Sequence, residues 1–137
     1  MITMEDYVGP HAASPDWTET RRANAARLLN ACAILEAYAA QDGVQFPVNP
    51  ATGSGVSGKR YGGFRPQSCA IGSPKSAHKE GLAVDLFDPS GAIDAWCLDN
   101  QDKLELCGIY IEHPAETDGW SHWSIRPPKS GRHVFYP

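Results

Sequence analysis

The chain has 137 residues, the size of one ordinary domain, so a single domain spanning 1–137 is expected, able to bury a core without disulfides or a partner. Hydrophobic residues make up 42% and charged residues 20%, which excludes wholesale disorder, while 13 Gly and 11 Pro promise many turns and irregular segments. Lys plus Arg number 12 against 16 for Asp plus Glu, a net charge of −4 that argues against a nucleic-acid partner.

Residues 1–14 read as an N-terminal extension that lacks the basic and apolar regions of a secretory signal, so synthesis in a cytoplasm is expected. No run of about 18 apolar residues occurs, and no membrane insertion is expected. Ser14-Pro15-Asp16 is a helix-start signature. Behind it Ala25, Leu28, Leu29, Cys32, Leu35 and Ala39 recur at helical spacing, which predicts one scaffold helix from about 15 to 41 ending at Gly43. From Gly43 to Gly72 the composition turns to Gly, Pro and Ser, which predicts irregular loops that bind ligands or wall a site. Lys59-Arg60 and Arg65 form too short a basic cluster to read as more than loop charge.

Leu82–Phe87 reads as a strand with Leu82, Val84 and Leu86 on one face and Ala83, Asp85 and Phe87 on the other. Asp85 therefore sits mid-strand on a face that should be largely buried. Asp88-Pro89-Ser90-Gly91 turns the chain into a second helical region, about 92–106, which Gly108 terminates. Residues 109–112 and 120–125 are strand candidates joined by a 113–119 loop, a hairpin. The proline-broken tail, 126–137, is expected to pack on the body through Val134, Phe135 and Tyr136. Cys32, Cys69, Cys97 and Cys107 contain no CxxC pair and read as buried free thiols.

The informative stretch is Ser76-Ala77-His78-Lys79-Glu80-Gly81-Leu82-Ala83-Val84-Asp85, a pattern SxHxxGxAxD. Along one continuous strand His78 and Asp85 would face apart, but Gly81 can turn the chain and bring both to one point. His122, between aromatic neighbours in the hairpin, completes a His/Asp/His set suited to a zinc that keeps its fourth position open. Singly, each has a plainer explanation: His78 as a turn residue, His122 as a histidine of an aromatic cluster, Asp85 as a loop cap. Their joint occurrence in this order favours the site.

SAHKEGLAVD and the SHW of 121–123 resemble the two ligand segments of the zinc-dependent peptidoglycan peptidases related to D-alanyl-D-alanine carboxypeptidases, which share a fold with the hedgehog signalling domain. Gly63-Phe64-Arg65-Pro66 and the closing PPxSGxxxFxP pattern of 127–137 are similar to segments of small phage-encoded members, and the resemblance runs from about residue 23 to 137. It implies an α+β fold, a small antiparallel sheet flanked by helices, with one Zn2+ per chain on His78, Asp85 and His122. Arg65 would anchor a substrate carboxylate or polarise the scissile carbonyl, and Ser76 would support the site or cap a turn.

Many relatives carry a carboxylate three residues before the second histidine, where this chain has Gly119. Glu112, Asp118 and Glu116 are the remaining candidates for general base, in that order; pairing Glu112 opposite Trp120 would put it on the face of His122, one diagonal step away. His113 could assist an oxyanion or be an ordinary loop histidine. The implied activity is a zinc metallopeptidase on peptidoglycan stem peptides, an endolysin-type endopeptidase of a phage or prophage, expected to be a monomer. It would act on the cell wall after release from the bacterial cytoplasm, or from a virion. A D-Ala-D-Ala carboxypeptidase, or a zinc-containing module of a phage particle without catalysis, are the alternatives, because fold alone does not fix function.

Overall fold

In the computed structural model, which describes residues 1–137, Thr18 rather than Ser14 caps the long helix, its hydroxyl accepting from the Arg21 amide at 3.3 Å. Helix α2 therefore runs Glu19–Gln41. The Ser14-Pro15-Asp16 signature is spent on a preceding turn: the Asp16 amide donates to the Ser14 hydroxyl, and the Asp16 carboxylate accepts from the Gln67 amide at 2.9 Å. Ala25, Leu28, Cys32, Leu35 and Ala39 of α2 are buried, as their spacing predicts, whereas Leu29 only flanks the core.

The first 14 residues do more than extend the chain. Helix α1, Met4–Val8, opens with a reciprocal cap between Thr3 and Asp6 and packs on α2. Tyr7 is 1% exposed, and its hydroxyl donates to the Ala83 carbonyl at 2.9 Å, which ties the N-terminus to the first strand.

Strand β1 is Ala83–Phe87. Past it, Asp88 is buried and accepts from the amides of Ile93 and Asp94, both at 3.0 Å, satisfying the open end of α3, Ala92–Asp99. The single helix expected over 92–106 is two: Asn100 leaves helical geometry, its side-chain amide donates to the Trp96 carbonyl, and α4 resumes over Gln101–Cys107. Strand β2 is Tyr110–Glu112, β3 is Trp120–Ser124 and β4 is Val134–Phe135.

The sheet order is β1-β3-β2-β4, within an α+β architecture. It is mixed rather than wholly antiparallel, since β3 runs antiparallel to both neighbours while β4 joins β2 in parallel. The hairpin register pairs Tyr110 with Ser124 and Ile111 with Trp123, which brings Glu112 level with His122 instead of Trp120. The difference arises because β3 outruns β2: Trp120 and Ser121 pair with Phe87 and Leu86 of β1. A shift of two residues keeps Glu112 on the expected face.

Much of the Gly43–Gly72 region covers the outer edge of β1, where the Ser57 and Phe87 amides donate to the Asp85 and Gly55 carbonyls at 2.8 Å. The inner face of the sheet buries Val84, Leu86, Ile111 and Trp123 against Leu28, Leu35, Ile93 and Leu104. Each such side chain contributes roughly 1.5–3 kcal/mol of transfer free energy. Cys32 and Cys97 lie in this core, and burial pushes both thiols up, away from reactivity; Cys69 and Cys107, expected to be buried, are only half so. Tyr136 is 66% exposed and stacks on His113 instead of entering the core; Val134 packs against the core, and His133, stacked on Tyr110, also holds the tail. No helix is long and apolar enough to cross a membrane.

Candidate metal centre

Asp85 and His122 are direct partners across β1 and β3, so the sheet alone places their side chains side by side on one face. His78 reaches them from a 3-10 turn, Ala77–Glu80, whose first amides are capped by Ser76: the Ser76 hydroxyl accepts from the His78 amide at 3.3 Å. Gly81 closes that turn at φ 74°, and a Cβ there would stand 2.5 Å from the Arg21 carbonyl oxygen, so this position needs glycine on two counts. Gly63 is required by close approach: a Cβ would lie 2.0 Å from the Tyr7 carbonyl oxygen.

The Gly63 carbonyl lies 2.9 Å from Nδ1 of His78. A carbonyl can only accept, so Nδ1 carries the hydrogen and Nε2 turns toward Asp85, 3.3 Å from Oδ1. His122 Nδ1 is 2.9 Å from the same oxygen, and His122 Nε2 is 4.0 Å from Oε1 of Glu112. The other Asp85 oxygen accepts from an Arg65 amino group at 3.1 Å. Burial alone would raise the Asp85 carboxyl, but with no ion bound a proton at His78 Nε2 and the hydrogen bonds from both histidines outweigh it and hold the group well below the usual carboxylate range. Asp85 is an anion throughout the physiological range.

His78, Asp85 and His122 form a group that could hold a metal ion, with donor atoms all within 4.8 Å of one another. Two neutral imidazoles and one carboxylate suit zinc chemically. Donors about 2.0–2.1 Å from a tetrahedral zinc stand roughly 3.3 Å apart, close to the separations of 3.3 and 2.9 Å at Asp85 Oδ1. The lone pair of His78 Nε2 facing a carboxylate oxygen also calls for a cation or a proton between them. The residues present fit the ion.

These three side chains, with Glu112, line a cleft of about 720 Å3 whose rim carries Lys75, Arg126 and Lys129. Trp120 and Phe135 contribute its aromatic surface. Glu112 is thus the one candidate base brought to the cleft; Asp118 and Glu116 are exposed on the far loop, and Asp118 lines a different depression with Pro89 and Asp94. His113 is absorbed locally, its Nδ1 accepting from the Ala115 amide at 3.1 Å and its ring stacked on Tyr136. Ser76 lines the cleft and caps the turn, so both expected roles fall to one residue.

Arg65 is differently placed from a free anchor. Its Nε donates to the Tyr61 carbonyl at 2.7 Å, it grips Asp85, and only 11% of its side chain is exposed. Sequence reasoning missed the Gly63 carbonyl behind His78 and the three rim cations; the only local signal for the latter was the Arg-Pro-Pro-Lys run at 126–129. Comparison of the chain with family models, with curated proteins and with solved structures finds no match in any of the three.

Proposed function

We propose that the chain is a zinc-dependent peptidase of bacterial peptidoglycan stem peptides, an endopeptidase of the phage or prophage lysis type that acts as a monomer on the cell wall. The observation that carries this reading is a His/Asp/His donor set with a free glutamate beside it on the floor of a peptide-sized cleft. The likeness of SAHKEGLAVD and SHW to the ligand segments of zinc peptidoglycan peptidases supports it.

His78, Asp85 and His122 would hold the zinc, which when bound polarises an amide carbonyl and acidifies a water. Glu112 then serves as general base: its carboxylate takes a proton from the attacking water and returns it to the leaving amine. Its place across from His122 sets it beside the donor set on a strand rather than on a mobile loop. Arg65 orients Asp85 by donating to the oxygen that the histidines leave free. Trp120 and Phe135 limit water on the open side.

The test is mass spectrometry of defined muropeptides and intact sacculi incubated with the purified protein, with added zinc or with a chelator. Zinc-dependent fragments are expected, their masses identifying the bond and separating endopeptidase from carboxypeptidase action. Glu112→Gln should retain the metal and lose roughly 10²–10⁴-fold in turnover. Intact substrates after exposure to folded, zinc-loaded protein would overturn the reading.

A further inference from the structure

We propose that Arg126, with Lys75 and Lys129 beside it, forms a carboxylate-recognition subsite on the rim of the cleft and determines which peptides the site accepts. This rests on the peptidase reading for the identity of the ligand as a peptide, and otherwise on the arrangement of the cations. The family resemblance implies that Arg65 anchors a substrate carboxylate or polarises the scissile carbonyl. That residue lines the cleft but spends its Nε on the Tyr61 carbonyl and one amino group on Asp85, so it offers a ligand less of its fork than an exposed arginine does.

Lys75, Arg126 and Lys129 are exposed, line the same cleft and take part in no ion pair. The cleft's two acids, Asp85 and Glu112, belong to its floor beside the histidines. In a chain of net charge −4, three unpaired cations around one opening form a local field of the opposite sign. They attract an anion that the rest of the surface repels.

Arg126 is the best ordered of the three. The Ser124 hydroxyl accepts from the Arg126 amide at 3.0 Å, Pro127 and Pro128 stiffen the chain that follows, and one guanidinium nitrogen donates to the Lys75 carbonyl at 2.8 Å. That single bond uses one of five N–H donors and sets the plane of the group, leaving an edge for two parallel bonds to a carboxylate. A fork held in place before the ligand arrives loses little freedom on binding. Because Arg126 is on the exposed rim while His78 and His122 are buried, it holds substrate by a group remote from the bond that is cut, and its effect falls on KM rather than kcat.

The experiment compares two synthetic stem pentapeptides, each of L-Ala, γ-linked D-Glu, a diamino acid and two D-Ala residues, one with free carboxylates and one amidated. Their binding to the zinc-loaded Glu112→Gln protein is measured by titration calorimetry with Arg126 intact and with Arg126→Ala. Loss of Arg126 should weaken the acidic peptide about tenfold to a hundredfold and change the amidated one less than twofold. Arg126→Lys, which keeps charge but not the fork, should recover part of the loss. Equal weakening of both peptides, or no preference of the Arg126 protein for the acidic one, would overturn the subsite. If the zinc-loaded wild-type chain cuts neither peptide while the difference in binding persists, the peptidase reading fails and the subsite stands.

Discussion

Asp94 shows how much a single buried group can weigh behind the site. It is 2% exposed; one oxygen accepts from the Thr117 hydroxyl at 2.8 Å and the other, Oδ1, has no partner. Burial, the largest influence, pushes its carboxyl above the ordinary value, and the neighbouring Asp88 adds to this against hydrogen bonds from Ser121 and Thr117. The folded chain therefore holds this proton more tightly than the unfolded chain does. Its contribution to stability is complete below the unfolded value, near 3.9, and is lost as pH rises through the higher folded one. Asp94→Asn keeps an acceptor for Thr117 and removes the charge that burial opposes. The variant should gain on the wild type in melting temperature by more at pH 7 than at pH 4. A difference that does not vary with pH would mean that Asp94 is not charged at a cost in the folded chain.

At the scale of elements, the turn that delivers His78 depends on Gly81, and the cost of replacing it divides into two parts. Positive φ disfavours any L side chain by about 1–2 kcal/mol, and a Cβ at 2.5 Å from the Arg21 carbonyl adds a clash with backbone of α2. Gly91 supplies the comparison, because it has φ 73° and nothing within 4 Å of the place its Cβ would take. Gly91→Ala should cost only the first part, whereas Gly81→Ala should lose roughly 3 kcal/mol or more and also bind zinc less tightly, as His78 is displaced. Thermal melts and metal titrations of both variants check this; equal losses would remove the clash from the account. The same turn explains why the site was legible in the sequence. Period-two alternation put Asp85 on a buried strand face, His122 lay between aromatic neighbours in the expected hairpin, and a glycine between His78 and Asp85 was enough to predict their convergence. What the local pattern did not carry was decided by single side-chain bonds and by partners distant in the chain. Asn100 breaks one helix into two through its own side chain, β4 chooses a parallel place on β2, and Arg65 turns inward to a strand some 20 residues later. Helix α1 has only five residues and is held by Tyr7 reaching Ala83, an interaction with no local signal.

For the whole molecule, the donor set joins parts of the fold that the core holds separately. His78 hangs from a turn braced against α2 and the Gly63 loop, Asp85 sits in β1, and His122 lies beside Trp123, which is fully buried among the core side chains. An ion bound by all three ties the loop layer to the sheet and is bound by the folded chain alone, so its binding free energy adds to stability. At a free zinc concentration one hundred times the dissociation constant the gain is about 2.7 kcal/mol, which for a chain of this size corresponds to roughly 10 °C in melting temperature. Chelation should reverse the rise without unfolding the protein, because none of the ligands belongs to the hydrophobic cluster that α2, α3, α4 and the inner face of the sheet share. His78→Ala should melt near the metal-free wild type and show no such rise with zinc. A wild-type melting temperature indifferent to zinc and chelator, or a full rise in the His78→Ala variant, would show that these three side chains are not the ligands.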